Sequence, residues 1–313
     1  MKHITRLFVM LSLVILLSNY NPNSAFAQGF GTLTRVLVDG LTEFNDGVEY
    51  ASMSADGRYI AFISYSSNLV ANDLNDSPDV FVYDQQTDTI SLISVSPTGT
   101  PSYGIIYIDV VISGNGRYVA FTSDADNLVL GDTNGQNDVF VRDLQTNQTT
   151  RVSVDSNGNQ VTHLDFITEI DISYDGRYVV FESDSPDLVV GDTNNAMDVF
   201  LHDQQTGQTI RASVDSSGNQ LANGAARPRI SGNGRYVMFT SNSPDVVAND
   251  TNDQPDVFVR DMQTGQVTRV SVSSSGGESF STAQSPYFPI TLGDDISYDG
   301  RYVTFVSNAN NLV

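Results

Sequence analysis

The sequence contains no cysteine and no tryptophan, and lysine and glutamate are nearly absent. Without cysteine the chain can form neither disulfides nor thiolate metal sites, so its stability must come from core burial, hydrogen bonding or bound ions. Of the 37 acidic residues, 32 are Asp and only five are Glu, although Glu is the better helix former. The 313 residues are 40% hydrophobic and 17% charged, which is typical of a globular protein.

Basic residues are scarce as well, because 15 Lys and Arg face the 37 acidic residues and leave a net charge of −22. Phosphate repels such a chain, and no counterion release can compensate, so nucleic acid and anionic lipid surfaces are excluded as partners. Short carboxylates favour turns over helices. The excess of Asp therefore indicates a fold rich in turns.

The first residues have the features of a targeting segment. Lys2 and Arg6 precede an apolar run over residues 7–17, and residues 25–27 place alanines at the two cleavage-site positions. The run is too short to span a bilayer of about 30 Å. We therefore predict a secretory signal peptide over residues 1–27, a secreted or periplasmic protein, and no membrane-spanning segment after cleavage. Processing changes the net charge to 13 − 37 = −24.

The rest of the chain repeats itself every 58 to 66 residues. One phrase, Ser-x-Asp/Asn-Gly-Arg-Tyr-x-x-Phe, occurs five times and begins at Ser54, Ser113, Ser173, Ser231 and Ser297. A second phrase, Asp-Val-Phe-x-x-Asp, follows it four times and begins at Asp79, Asp138, Asp198 and Asp256. The repeats are predicted to cover about residues 48–104, 105–165, 166–225, 226–289 and, as a partial unit, 290–313.

Each full repeat contains four short runs rich in β-formers, which we label a to d. In the second repeat they are predicted at 105–113, 116–123, 138–144 and 149–155. The Asn-Gly or Asp-Gly pair between a and b is a strong hairpin signal. Strand b is apolar on both faces, so the sheet must be sandwiched between copies of itself. Tandem four-stranded antiparallel sheets of this kind predict an all-β fold, the β-propeller.

Together the two phrases resemble the WD40-like propeller repeats of the TolB type, from about residue 34 to the end of the chain. The resemblance implies a β-propeller and little about function, because this module serves many exported bacterial proteins and accompanies some peptidases. The repeat is longer than is usual for the type, and no second domain of the TolB kind precedes it. A role in a Tol-like envelope complex is therefore not carried over.

Ring closure is the open topological question. Residues 33–39 match strand d but have no a, b or c before them, and the C-terminus supplies only strands a and b, near 290–297 and 300–307. We predict one domain over residues 28–313 with about five blades, of which four are complete and the last combines strands from both termini. A truncated piece of a larger ring is the alternative.

The loops between strands b and c carry the most specific candidate site. All four have Asp, Asn and Asp at their first, third and seventh positions: Asp73, Asn75 and Asp79; Asp132, Asn134 and Asp138; Asp192, Asn194 and Asp198; Asp250, Asn252 and Asp256. Clustered hard oxygen ligands suit Ca²⁺, although the spacing is not that of an EF-hand. We predict calcium at these loops. The alternative is that they are Asx turns.

In a four-stranded meander the b–c loops and the d–a connections lie at the same end. Aromatic and polar residues of the d–a connections form a candidate ligand face: Tyr103, Tyr107, His163, Phe166, Arg227, Phe280, Tyr287 and Phe288. Loops on a rigid scaffold often carry recognition residues. Some of these side chains could instead plug the ends of the blades.

No catalytic residues are predicted. The arginines that follow the repeated glycine are expected to pair with nearby Asp, and Asp84, Asp143, Asp203 and Asp261 to form the c–d turns. No hydrolase triad is found, although Glu169 and Glu182 leave an acid/base pair open. We predict a monomeric, non-catalytic propeller that binds a protein or a glycan. The alternative is a propeller enzyme acting on glycan or peptide, as a hydrolase or lyase, or the accessory propeller of one.

Overall fold

The computed structural model describes residues 47–75, 77–104, 106–162, 167, 169–252, 254–279 and 291–312. These residues form four four-stranded antiparallel sheets and one two-stranded sheet, with no helix among them. Within the same ranges nothing qualifies as a helix long and apolar enough to cross a bilayer. The predicted signal peptide and the predicted outer strand at 33–39 lie outside the described residues.

The strands follow the sequence repeat, and each sheet is one blade. The first blade contains β1 (Val48–Met53), β2 (Tyr59–Ser64), β3 (Asp79–Asp84) and β4 (Thr89–Leu92). The second contains β5 (Ile106–Ile112), β6 (Tyr118–Ser123), β7 (Asp138–Asp143) and β8 (Gln148–Arg151). The third contains β9 (Ile170–Ile172), β10 (Tyr178–Ser183), β11 (Asp198–Asp203) and β12 (Gln208–Arg211).

The fourth blade contains β13 (Ala226–Ile230), β14 (Tyr236–Ser241), β15 (Asp256–Asp261) and β16 (Val267–Arg269), and the two-stranded sheet contains β17 (Thr291–Ile296) and β18 (Val303–Ser307). In each complete blade the four strands are hydrogen-bonded in sequence order. Whether residues 33–39 complete the last blade stays a prediction, because they are outside the described part of the chain.

Strand d is shorter than predicted. In the second blade it ends at Arg151, and the chain then makes a separate turn in which the Asp155 N–H donates to the Asn159 carbonyl at 3.1 Å. An isolated bridge between Val154 and Gln160 closes this turn. The β-rich composition of 152–155 thus serves a small hairpin-like loop between the blades and not the outer strand itself.

The core lies between the blades, as the two apolar faces of strand b require. Val119 and Phe121 of β6 pack in one cluster with Val82 of the first blade. Ala120, on the opposite face of the same strand, packs with Val179 of the third blade. Because successive residues of a strand point to opposite faces, the second, third and fourth blades are buried on both sides by their neighbours.

The inner strands β1, β5, β9, β13 and β17 contact one another in order, which establishes the β-propeller arrangement. Side chains link them. The Ile112 N–H donates to the Ser52 hydroxyl at 3.1 Å, and the Ile170 N–H donates to the Asp109 carboxylate at 3.0 Å. In the fourth blade the Ile230 N–H donates to the Asp171 carboxylate at 2.8 Å. The inner strands β5, β9 and β13 are therefore each held by a polar side chain on the inner strand of the blade before.

The a–b turns need glycine for two reasons. Gly176 has φ of 79°, a conformation that L side chains rarely adopt. A Cβ at this position would also overlap the ring of Tyr118 in the preceding blade. The repeated glycine therefore allows neighbouring blades to approach closely.

Candidate functional site

The two ends of the propeller differ. We call the end formed by the a–b and c–d turns the turn face, and the end formed by the b–c loops and d–a connections the loop face. Asn127, in the b–c loop of the second blade, donates to the Pro101 carbonyl at 2.9 Å and accepts the Tyr103 N–H at 3.0 Å. Since Pro101 and Tyr103 belong to the d–a connection before that blade, these contacts place both loop types at one end.

On the turn face the repeated arginine and the last Asp of the second phrase form a bidentate pair. In the second blade Arg117 donates to both carboxylate oxygens of Asp143, at 2.9 and 2.7 Å, and its guanidinium lies 4.9 Å from the centre of the Tyr118 ring. The same pairing joins Arg58 to Asp84, Arg177 to Asp203 and Arg235 to Asp261. The expected Arg–Asp pairing is confirmed for the arginines of the four complete blades, and the turn-forming Asp residues are their partners.

The hydrogen bonds from Arg117 hold the pKa of Asp143 at about 2, although partial burial opposes the shift. Asp143 also accepts the Gln145 N–H at 2.9 Å, which fixes the c–d turn. Each such Asp thus performs two structural tasks at the turn face.

On the loop face of the second blade an arginine occupies the place between the two predicted metal-ligating carboxylates. Arg151 Nη1 lies 3.0 Å from Asp132 Oδ1 and 3.6 Å from Asp138 Oδ2, and both carboxylates are almost completely buried. The Asn134 amide donates to Asp138 at 3.0 Å, while its oxygen accepts the Gln136 N–H at 3.1 Å. The asparagine thus forms an Asx turn and presents N–H to the carboxylate.

The third and fourth blades repeat this arrangement. Arg211 lies 3.0 Å from Asp192 and 3.3 Å from Asp198. Arg269 lies 3.1 Å from Asp250 and 3.4 Å from Asp256, and also pairs with Glu278 at 2.7 Å. The amides of Asn194 and Asn252 donate to the carboxylates of Asp198 and Asp256 at 3.1 and 2.8 Å.

These three loops do not fit a calcium ion as they stand. A metal between the carboxylates would have to displace a buried guanidinium, and the asparagine would have to turn its oxygen towards it. No group of three or more His, Cys, Asp or Glu side chains converges for metal binding within the ranges that the structure describes. Calcium at these loops stays a prediction, and the Asx-turn alternative describes their hydrogen bonds.

The strand-d arginine was not identified as a partner in the sequence, although a signal exists. Arg269 follows Asp256 by 13 residues, and the same interval separates Arg151 and Arg211 from their aspartates. In the first blade Leu92 stands at this interval after Asp79. A fixed spacing between a buried Asp and an arginine on a neighbouring strand is the pattern that would have revealed the ion pairs.

The first b–c loop therefore keeps the predicted ligands without the arginine. Asp79 is fully buried and Asp73 is 5% exposed. The Asn75 amide donates to the Ser102 carbonyl at 2.9 Å, and its oxygen accepts the Ser77 N–H at 3.3 Å. Of the four predicted sites, this one alone has an aliphatic side chain where the guanidinium would be.

Apolar side chains are exposed on the loop face. Tyr103 of the predicted ligand face is 72% exposed, Leu74 is 83% exposed and Leu130 is 91% exposed, and Val190, at the position of Leu130 in the next blade, is fully exposed. The last three come from the b–c loops and were not among the predicted ligand residues. Their signal is an apolar residue two positions before the Asp-x-Asn segment or within it, where a solvated loop has no structural need for one.

The rest of the predicted ligand face is only partly described. Arg227 pairs with Glu169 at 3.2 Å and adopts φ of 59°, so it is fixed by neighbouring blades. The side chain of Tyr107 and the residues His163, Phe166, Phe280, Tyr287 and Phe288 lie outside the described part of the structure. Their role as ligand contacts stays a prediction.

Carboxylates also gather at the inner strands. Burial raises the pKa of Asp109 to about 7 and that of Asp171 to about 6, although each accepts a backbone N–H. Glu169 forms ion pairs with Arg229 at 2.9 Å and with Arg227, and Glu182 accepts the Arg227 N–H at 2.8 Å. These acids hold the blades together.

Comparisons with known proteins find similar solved structures but no matching family or curated protein. Similar solved structures include TolB from Acinetobacter baumannii, with 18% identity over 84% of this chain and a TM-score of 0.45. Hydrazine synthase from Kuenenia stuttgartiensis has 16% identity over 83% of this chain and a TM-score of 0.43, and the tricorn protease has 13% identity over 86% and a TM-score of 0.46.

The similarity covers 54% of the TolB chain, 61% of the hydrazine synthase chain and 25% of the tricorn protease chain. No activity of these proteins is carried over to this chain. The repeated four-stranded antiparallel sheets confirm the fold class and the TolB-type resemblance that the two phrases predicted: the chain is an all-β propeller similar in fold to TolB.

Proposed function

We propose that this chain is an exported, non-catalytic β-propeller that binds a protein or a glycan through its loop face, with calcium stabilising Asp-rich loops. The observation that carries the proposal is the set of exposed apolar side chains on that face, Leu74, Tyr103, Leu130 and Val190. Exposed apolar side chains on loops of a rigid scaffold supply contact area for a partner. A binding role uses them, whereas a purely structural role leaves them unexplained.

The composition supports the same role. The signal-peptide features of residues 1–27 support export of the mature chain to the periplasm or out of the cell. Its net negative charge keeps it soluble and, as proposed here, monomeric. Support for calcium is strongest at the first b–c loop, because the other three hold an arginine between their carboxylates.

The enzyme alternative is less well supported by the described residues. The inner-strand acids with raised pKa, Asp109 and Asp171, each accept a backbone N–H from the next blade. Glu169 is engaged by two arginines. An acid/base pair needs carboxylates that can reach a substrate proton, and these are occupied by contacts between blades.

Binding can be tested with the mature protein on a glycan array and in pull-downs from bacterial envelope extract. We expect Leu130→Ser combined with Val190→Ser to reduce the retained ligand at least about tenfold, since two apolar contacts are lost. Ile210→Ser, at an exposed position on strand d, is the matched control and should bind like the wild type.

Both variants should keep the wild-type thermal midpoint, because exposed substitutions change stability by no more than about 0.5 kcal/mol. The proposal is overturned if the double variant retains every ligand at the wild-type level, or if neither assay detects a ligand that depends on the loop face.

A further inference from the structure

In three of the four complete blades, an arginine guanidinium of strand d lies between two buried carboxylates of the b–c loop. Arg151, Arg211 and Arg269 each lie 3.0 or 3.1 Å from the first Asp of their loop. Two nearby buried anions are unfavourable unless a positive charge compensates them. The carboxylate pair is therefore a cation-binding arrangement in each of these blades.

The first blade keeps the carboxylates and lacks the arginine. Leu92 occupies the equivalent register position, since it pairs with Phe81 as Arg151 pairs with Phe140. Leu92 packs against an apolar cluster that includes Phe81. The second donor is also replaced: Gln160 donates to Asp132 at 3.1 Å, and Pro101 stands at its position in the first blade.

The Asp79 carboxylate is an independent observation that points to a bound cation in the first b–c loop. Its side chain is fully buried, and Oδ1 accepts the hydroxyls of Ser94 and Ser102. The other oxygen, Oδ2, is buried and has no hydrogen-bond partner of ordinary geometry among the described residues, although the Asn75 side chain lies close enough to interact with this carboxylate. In the next blade the equivalent oxygen of Asp138 faces the Asn134 amide and Arg151. Buried carboxylate oxygens without a partner are rare in folded proteins.

Asp73 lies close enough to Asp79 for its charge to act on it. Both side chains are buried, so water cannot screen this repulsion well. The second, third and fourth blades relieve the same repulsion with a guanidinium. The first blade has no residue for this at either of the two positions that the others use.

We propose that a calcium ion binds between Asp73 and Asp79 and takes the place that an arginine guanidinium takes in the other three blades. Ca²⁺ accepts carboxylate, carbonyl and water oxygens in flexible geometry, which suits a pair of loop carboxylates better than the strict octahedron of Mg²⁺. Asn75 would contribute its oxygen if its amide turned over. The inference rests on the calcium part of the proposed function and narrows it from four loops to one.

The first experiment counts calcium ions on the mature protein by equilibrium dialysis with radioactive calcium after treatment with chelator. We expect about one ion per wild-type chain, and none in Leu92→Arg, which installs the guanidinium in the register position of Arg151. Leu92→Met conserves volume without adding charge, so it should keep the ion and serves as the matched control.

The second experiment reverses the substitution. Arg151→Leu combined with Gln160→Pro removes both donors that the first blade lacks, and should raise the number of bound calcium ions from about one to about two. With free calcium at ten times the Kd, each ion should increase the folding equilibrium constant about 11-fold. The thermal midpoint of the wild type should therefore rise with calcium, and that of Leu92→Arg should not.

The proposal is overturned if the wild type binds no calcium at 10 mM, or if Leu92→Arg binds it as well as Leu92→Met does. Equal binding of Mg²⁺ would overturn the choice of calcium. If Leu92→Arg does not fold, the wild-type ion count and the double variant Arg151→Leu with Gln160→Pro decide. If the wild type binds no calcium but still retains its loop-face ligand, the calcium site is overturned and the proposed binding function is not. If it binds calcium but retains no ligand, the binding function is overturned and the calcium site is not.

Discussion

The turn face and the loop face both contain an arginine–aspartate pair in nearly every blade, but in different surroundings. In the second blade Arg117 on the turn face is 39% exposed, and Arg151 on the loop face is 10% exposed. The exposed pair has bidentate geometry with one carboxylate, and the buried arginine serves two carboxylates. The same two residue types therefore fix a turn at one end and neutralise buried charge at the other.

The difference in exposure between the two kinds of arginine determines at which face an arginine can be replaced. At the turn face, water can replace a lost partner, so the pair mainly adds geometric precision. At the loop face, loss of the arginine leaves buried anions without compensation, so its replacement requires another cation. In the first blade Leu92 stands in place of the arginine, and a calcium ion is inferred between the carboxylates of that blade.

The largest expected effect is the loss of the buried arginine. Arg151→Met should lower the free energy of unfolding by about 3–5 kcal/mol in chelator, because Asp132 and Asp138 stay buried without their counter-ion. The matched variant Arg117→Met should have a much smaller effect, because Asp143 can be solvated. Urea unfolding of both variants at pH 7 measures the contrast, and equal losses would contradict the distinction between the faces.

The second prediction compares two glycines with positive φ, one packed against a neighbouring blade and one with open space around it. Gly176→Ala on the turn face should cost about 3 kcal/mol, because the positive φ is strained and the new methyl group overlaps the Tyr118 ring. Gly158, in the turn that follows strand d of the second blade, has φ of 77° but open space around it. Gly158→Ala should therefore cost only about 1 kcal/mol.

Denaturant midpoints of these two variants separate backbone strain from the clash between blades. Similar losses at both positions would show that the close approach of Tyr118 to Gly176 contributes little to stability.

The smallest effect concerns the exposed pair and depends on pH. Arg177 holds the pKa of Asp203 at about 2, below the ordinary value of 3.8. A lowered carboxyl pKa adds stability that is present above pH 3.8 and is lost as the pH falls towards 2. We expect Asp203→Asn to cost about 1 kcal/mol at pH 7, allowing for water around the pair, and almost nothing near pH 2.

Urea midpoints across this range test the sign. Arg177→Gln should show the same convergence with the wild type, and the double variant should lose no more than either single variant. A destabilisation that grows as the pH falls would contradict the assignment.

The fold could be predicted because its determinants are local and repeated. Alternating apolar residues in β6 place Val119 and Ala120 on opposite faces, and the structure buries both between blades. The Asn-Gly and Asp-Gly turns likewise determine the a–b hairpins. The Arg117–Asp143 pair could be expected because both residues belong to repeated phrases that end at adjacent turns.

The positive group that compensates the two carboxylates of each Asp loop could not be predicted from the loop sequence. A pair of carboxylates has the same sequence pattern whether its counter-ion is a metal or a guanidinium. The answer depends on Arg151, which belongs to another strand and reaches Asp138 across the c–d hairpin. The exposure of Leu130 also depends on tertiary structure, because the adjacent Leu128 is completely buried in the same short loop.

The polar links between inner strands have a consequence for folding. The side chains of Ser52, Asp109 and Asp171 each accept a backbone N–H from the inner strand of the following blade, so the first four blades are linked in three successive pairs. Stability in such an array is a sum of blade terms and nearest-neighbour terms. Each link belongs equally to the two blades that share it, so a defect in one blade weakens both of its neighbours before it reaches the rest of the array.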